Sequence, residues 1–286
     1  PLDAAVPKGG VRLVDFWAYS CINCQRSVSG IKKLYETYKS AGLQVLGVHS
    51  PEYAFEKVTE NVREGAKKLG VTYPVAVDSD LRTWKNFDNH YWPAQYLVDE
   101  SGKVRHIHYG EGGEATAEKL IRRLLTEQNP GVKLPEPVFT GSKAAARDGK
   151  AGSSAEKTNP ETYLFPSRAS YYAGRPQLRE GTVDYGDPGE PKRGTFNLAG
   201  VWNAGAESIT PAQGSAQVRL GLHARRVYLV ASGEGGVTYT FAGKTYTKKV
   251  SGTPNALDLL PGGERKEGTL KVDASSGVHL HSFTFG

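Results

Sequence analysis

Apolar positions along the first 130 residues alternate between strand-like runs and helical stripes. Val11 to Trp17 is a β-type run interrupted by Arg12 and Asp15. Val28, Ile31, Leu34, Tyr35 and Tyr38 then recur at helical spacing, and Gly42 supplies a stop. Leu43 to Val48 is a short apolar run of strand length, broken by His49-Ser50-Pro51. From Glu52 a helix is expected, with Phe55, Val58, Val62, Ala66 and Leu69 on one stripe and Gly70 closing it. Tyr73 to Val77 reads as a strand, and Asp80 as the cap of a short helix through Trp84 and Phe87. Ala94 to Val98, the Ser101-Gly102 turn and Val104 to His108 read as a hairpin. A last helix carries Leu120, Ile121, Leu124 and Leu125. The order β-α-β-α-β-α-β-β-α predicts an α/β layer fold around one sheet.

The pattern changes after Asn129. Residues 129 to 159 are rich in Pro, Gly, Ala, Ser and Lys with little periodicity, as in a linker or strap, with Val138 and Phe139 as docking points. From Glu161 the chain reads as all-β. Candidate strands are Thr195–Ala199, Ala216–Leu222, Arg225–Val230, Val237–Phe241, Lys244–Val250, Ala256–Leu260, Gly268–Val272 and Val278–Phe285. Gly-rich turns separate them, and Phe241-Ala242-Gly243-Lys244 is a tight hairpin. A sandwich or jelly roll is expected. The domain boundaries predicted are 1–133, a linker 134–160, and 161–286.

A length of 286 residues suits two domains. The net charge of +6 is spread over both halves without a run of five like charges, which argues against a nucleic-acid-binding arm. No apolar run reaches the length of a membrane span and no signal peptide is visible. The chain begins at Pro1 and contains no Met, so a fragment or processed product is expected.

The chemistry concentrates in Cys21-Ile22-Asn23-Cys24, which holds both cysteines of the chain. A strand leads into it and a helix leaves it. Cys21 should therefore sit where unpaired N–H groups and the positive helix end favour a thiolate. Cys24 lies one turn further in, less exposed and close enough to close a small disulfide, the arrangement of a reversible dithiol couple. Half of a zinc site would need two further ligands at a second knuckle, and no histidine lies within twenty residues of the pair. An inert structural disulfide is the other alternative. His279 and His281 alternate along a strand without an evident third ligand and read as packing residues. No cofactor beyond the cysteine pair is expected.

LVDFWAYSCINC resembles the signature of the thioredoxin superfamily, in which a VDFWA-like strand runs into W/Y-x-C-x-x-C. The resemblance implies a thioredoxin-like first domain, with Asp15 as a buried carboxylate that takes up or relays the proton. It also implies a cis peptide before Pro93, facing the cysteines, with the backbone of Trp92 free to pair with an extended substrate. Trp17 is read as core or docking rim, Tyr19 as an exposed rim residue. The inserted strand and helix, Leu43 to Leu69, are similar to the TlpA/ResA-like branch, which implies a cysteine-tuning glutamate near Glu52. Peroxiredoxins share the insertion, but their motif needs Pro and Thr/Ser where this chain has Val14 and Ala18. YSCINC, HYWPAQYLVDESGKV, NPETYLF, GVWNAGAESI, LHARRVYLV and VHLHSFTFG together resemble the C-terminal region of the DipZ family. That resemblance implies an extracytoplasmic, membrane-anchored thiol–disulfide oxidoreductase. Its electrons would come from a CcdA-like membrane domain and pass to protein disulfides. It also implies a β-sandwich similar to carbohydrate-binding modules, for which Tyr171, Tyr172, Tyr185 and Trp202 are available aromatics. An oxidant that introduces disulfides, and a redox domain targeted by a glycan- or protein-binding sandwich, are the alternatives.

Overall fold

The computed structural model describes residues 9–140 and 158–286, apart from the side chains of 214 and 215. The chain divides into two compact units, Pro1–Ser154 and Ala155–Gly286. Most of the expected linker, residues 141–157, lies outside the described residues.

The first unit is a five-stranded sheet of order β3-β2-β1-β4-β5. β1 (Arg12–Trp17) lies at its centre, parallel to β2 (Gln44–His49) and antiparallel to β4 (Ala94–Val98). β3 (Val75–Val77) and β5 (Val104–Tyr109) form the edges. Covered on both faces, β1 is almost wholly buried, and its residues are apolar except Arg12 and Asp15. Val11, Leu13, Val45 and Leu97 face α1 (Ile22–Tyr38) and α4 (Glu114–Gln128) in one cluster. Val14, Phe16, Val48 and Tyr96 face the opposite side, where Trp84 and Phe87 of the short α3 segment (Arg82–Asn86 and its cap) pack edge-on to Phe16.

Two local expectations are corrected. The helix expected from Glu52 is instead a 3-10 turn, Ala54–Lys57, followed by α2 (Thr59–Leu69). Val58 caps α2 and is 50% exposed, so it leaves the apolar stripe. The cap of α3 comes from Asp78 rather than Asp80. Its two carboxylate oxygens accept from Thr83 N and Trp84 N, each at 2.9 Å. Beyond α4 the chain returns along the first unit. Val138 N and Phe139 N donate to the buried Glu118 at 2.7 and 2.8 Å, and Tyr38 Oη donates to the same carboxylate at 2.7 Å.

The second unit is one large antiparallel sheet folded around a single core, a near-barrel or sandwich. Its strands are β6 (Thr162–Tyr163), β7 (Gly181–Asp184), β8 (Phe196–Ala204), β9 (Ile209–Ala224), β10 (Val227–Gly233), β11 (Gly235–Phe241), β12 (Lys244–Val250), β13 (Asn255–Leu260), β14 (Lys266–Ala274) and β15 (Val278–Phe285). The long β9 joins the sheet to itself, pairing with β8, with β14 near its end and with β15 at its start. β8 and β9 are longer than their apolar runs because irregular register around Val201 and Trp202 lets polar residues and Pro211 stay in the ladder. Trp202, Phe196 and Phe283 fill the core.

Two of the aromatics considered for sugar binding, Trp202 and Tyr185, are therefore interior residues at 0% and 3% exposure. His279 and His281 do not share an environment. A bulge between Val230 and Ala231 shifts the pairing at His281, which turns inward between Ser232 Oγ and Glu207 O, at 2.9 and 2.7 Å, while His279 stays exposed.

Candidate functional site

The site is built where β1 ends. Ala18 to Ser20 turn the chain, and Cys21 is the N-cap of α1, in extended conformation. Its Sγ accepts from Cys24 N at 3.3 Å, so the nucleophile candidate occupies the position a Ser or Asp cap would take. Both cysteines are free. Cys21 is partly exposed and Cys24 is fully buried. Burial, the neighbouring Cys21 and the Asp15 charge together hold the Cys24 thiol well above its ordinary range.

Asp15 lies in the middle of β1, level with Gly47 on one side and Gln95 on the other. It is 1% exposed, and burial raises it to about 7 against the opposing effects of Gln95 and Tyr73. Tyr73 Oη donates to Asp15 at 3.5 Å. Gly47 leaves room for Tyr73 beside Trp17: a Cβ there would stand 2.9 Å from both Trp17 Nε1 and Tyr73 Cε2.

The turn that carries Cys21 is held by side chains from the inserted segment. Tyr19 N donates to His49 Nε2 at 3.1 Å. Ser20 N and Oγ both donate to Glu56 Oε1, at 3.2 and 2.8 Å. Gln25 of α1 closes the turn from the other side, its amide donating to Tyr19 O at 2.9 Å. His49 stacks on Tyr19 and meets Trp17 edge-on, and burial lowers it to about 4, so it is a neutral acceptor.

Pro93 follows a cis Trp92–Pro93 peptide and leads into β4; its carbonyl accepts from Gly110 N at 2.8 Å. Trp92 packs with Cys21, Cys24, Trp17 and Tyr19 in one cluster, and its indole N–H donates to Ser50 O at 2.9 Å.

Two expectations are corrected here, and of the two readings of Trp17 the core one holds. Trp17 and Tyr19 are both fully buried and form no rim: Trp17 ends a central strand, and Tyr19, expected exposed, is pinned by His49 and by α2, where a Cβ on Gly65 would come within 2.6 Å of its ring. Glu52 is not the buried acid. It contributes its backbone N–H, donated at 2.7 Å to Glu56 Oε2, and Glu56 is the carboxylate enclosed beneath the turn. His49, Ser20 and Glu56 carried no usable signal in the sequence. An acid three residues after a cap is a capping-box pattern, but the cap here is Tyr53 rather than Ser or Thr. Among the described residues no cluster of three or more His, Cys, Asp or Glu could hold a metal ion.

A partly exposed cysteine at a helix N-cap, a buried partner one turn on and a buried carboxylate whose charge acts on that partner, on a sheet of order β3-β2-β1-β4-β5, define a thioredoxin-like dithiol site. Residues 2–121 match the Redoxin family, and residues 159–286 match the family described as Thioredoxin like C-terminal domain. The Thiol-disulfide oxidoreductase YkuV of Bacillus subtilis is 32% identical over 115 residues, which cover 40% of this chain and 77% of that protein. The chain belongs to the thioredoxin-like thiol–disulfide oxidoreductases, whose redox centre is the cysteine pair itself. Protein DipZ of Mycobacterium tuberculosis is 41% identical over all 286 residues, 100% of this chain and 40% of DipZ, in a C-terminal part of it. The chain thus spans about two fifths of the length of the DipZ relatives it matches. The Thiol-disulfide oxidoreductase ResA of Geobacillus kaustophilus is 27% identical over 113 residues, 39% of this chain and 59% of that protein.

Proposed function

We propose that the first unit reduces disulfides in proteins outside the cytoplasm, with Cys21 as nucleophile and Cys24 as resolving thiol. The observation that carries this reading is the asymmetry of the pair: Cys21 is accessible at a helix N-cap, and Cys24 is buried near the Asp15 charge with its thiol held protonated. The Cys21 thiolate attacks a substrate disulfide, forms a mixed disulfide and expels one substrate thiolate. Ionised Asp15 takes the Cys24 proton. The Cys24 thiolate then attacks Cys21 Sγ, the second substrate sulfur leaves as a thiolate that is protonated from solvent, Asp15 gives up its proton in turn, and Cys21–Cys24 becomes the disulfide. Two electrons pass to the substrate in each cycle. Trp92 and the cis-Pro93 segment receive the extended substrate, whose backbone adds beside them. Glu52 takes no direct part in this scheme.

Regeneration requires a dithiol donor, and we assign that role to a CcdA-like membrane domain, as the likeness to DipZ suggests. In the described residues no helix is long and apolar enough to cross a membrane. Carbohydrate binding by the second unit would rest on the exposed Tyr171 and on a cavity of about 510 Å³ lined by Tyr172, Arg175, Gln177 and Leu178. Co-sedimentation with peptidoglycan tests that role separately.

Reduction of insulin disulfides by the full chain, with dithiothreitol as donor, tests the redox reading. Cys21→Ser is expected to abolish the activity. Full activity in that variant would refute the assignment.

A further inference from the structure

One buried carboxylate does more than fill the core. Glu56 is 0% exposed and receives four donors: Ser20 N and Ser20 Oγ on one oxygen, Glu52 N and Tyr53 N on the other, the last at 3.2 Å. It therefore joins the residue immediately before Cys21 to the start of the inserted 3-10 turn. Every contact is a donor pointing at an acceptor. That suits a carboxylate: a proton on Oε2 would face the Glu52 and Tyr53 N–H groups and displace one, and a proton on Oε1 would be accommodated only if the Ser20 hydroxyl reversed from donor to acceptor. We propose that ionised Glu56 is a positioning residue for Cys21: through Ser20 it fixes the turn that presents the nucleophile, and protonation of Glu56 rearranges and weakens that hold. The inference rests on the proposed role of Cys21.

The charge environment supports such a switch. Burial and the neighbouring Glu52 raise Glu56 to about 7, while the hydrogen bonds from Ser20 and Glu52 oppose the rise, and none of these groups is a cation. The other titratable groups facing it are the Tyr19 phenol, itself raised by burial and by the Glu56 charge, and Tyr53. His49, which holds the adjacent Tyr19 N–H, is lowered to about 4 and stays neutral through the range in which Glu56 titrates. One end of the turn is thus held at every pH near neutrality, and the other firmly only when Glu56 is ionised.

The test is the pH dependence of Cys21 alkylation by iodoacetamide in the reduced full chain; Cys24 is buried, so the fast phase reports Cys21. Wild type should show, besides the thiolate limb, a second limb near pH 7. Glu56→Gln turns two of the acceptor sites into donors facing donors. It should lose that second limb and react about tenfold more slowly at pH 8, which corresponds to about 1.4 kcal/mol. Ser20→Ala removes one contact and should fall between the two, and it serves if Glu56→Gln does not fold. Profiles superposable on wild type in the folded variants would overturn the inference. Loss of activity in Cys21→Ser would still stand in that case, so the two readings fail separately.

Discussion

In the proposed scheme Asp15 and Cys24 carry the proton chemistry of the pair: burial makes Asp15 a better base and Cys24 a weaker acid, so resolution needs that base. A carboxyl near 7 is partly ionised at neutral pH and can accept a proton from a thiol that burial keeps protonated. The same shift has a stability consequence. Folded Asp15 holds a proton up to about pH 7, whereas unfolded Asp15 releases it near 3.8. Between these values the native state binds more protons, so stability falls as pH rises through that window. For a shift of this size the loss is on the order of 4 kcal/mol. Urea unfolding of the reduced chain followed by first-unit tryptophan exchange should therefore show greater stability at pH 5 than at pH 8. Asp15→Asn should reduce that dependence while slowing disulfide resolution. The share of Glu56, raised likewise to about 7, remains, and His49, lowered to about 4, opposes it below its own unfolded value. An unchanged slope would contradict the burial argument. Asp15 was legible in the sequence because a lone acid inside an apolar strand is conspicuous. Glu56 and His49 were not, because the backbone amides by which they hold the cysteine turn lie thirty or more residues away, a pairing that neither periodicity nor local spacing encodes.

At the scale of elements, the apolar pattern gave the order of the first unit correctly, since central strands and amphipathic helices announce themselves by period. It misjudged the start of the inserted helix, because Phe55 and Val58 keep a helical spacing across what is a 3-10 turn and a cap. It also placed Tyr19 outside, since nothing in the sequence reveals that Gly65 lets α2 approach the turn. That approach makes a clear prediction. A Cβ on Gly65 would stand 2.6 Å from the Tyr19 ring, so Gly65→Ala forces either α2 or the cysteine turn to move. Alanine gains about 1 kcal/mol in helix propensity. Overpacking costs typically 1–3 kcal/mol, on the order of 2 here. The variant should melt lower than wild type and show altered Cys21 alkylation, and a higher melting temperature with unchanged reactivity would show that α2 has slack. In the second unit, β6 and β7 escaped notice because strands of two and four residues have no readable period. The burial of Trp202 and Tyr185 likewise depends on pairings distant in sequence.

For the whole molecule, the redox chemistry proposed here belongs to the first unit, and the second is a separate all-β body with its own core. A chain that donates electrons should have a reduction potential near that of thioredoxin, about −270 mV, whereas a value near −120 mV would mark a disulfide-introducing oxidant. Equilibration with dithiothreitol and glutathione measures it and decides direction without touching the site assignment. The assignment itself is tested most directly by trapping the mixed disulfide. With Cys24→Ser, a disulfide-bonded protein substrate should accumulate covalently on Cys21 and be released by dithiothreitol, with peptide mass spectrometry locating the bond; Cys21→Ser should trap nothing. Accumulation on Cys24 in the Cys21→Ser chain, with none on Cys21 in the Cys24→Ser chain, would contradict the account.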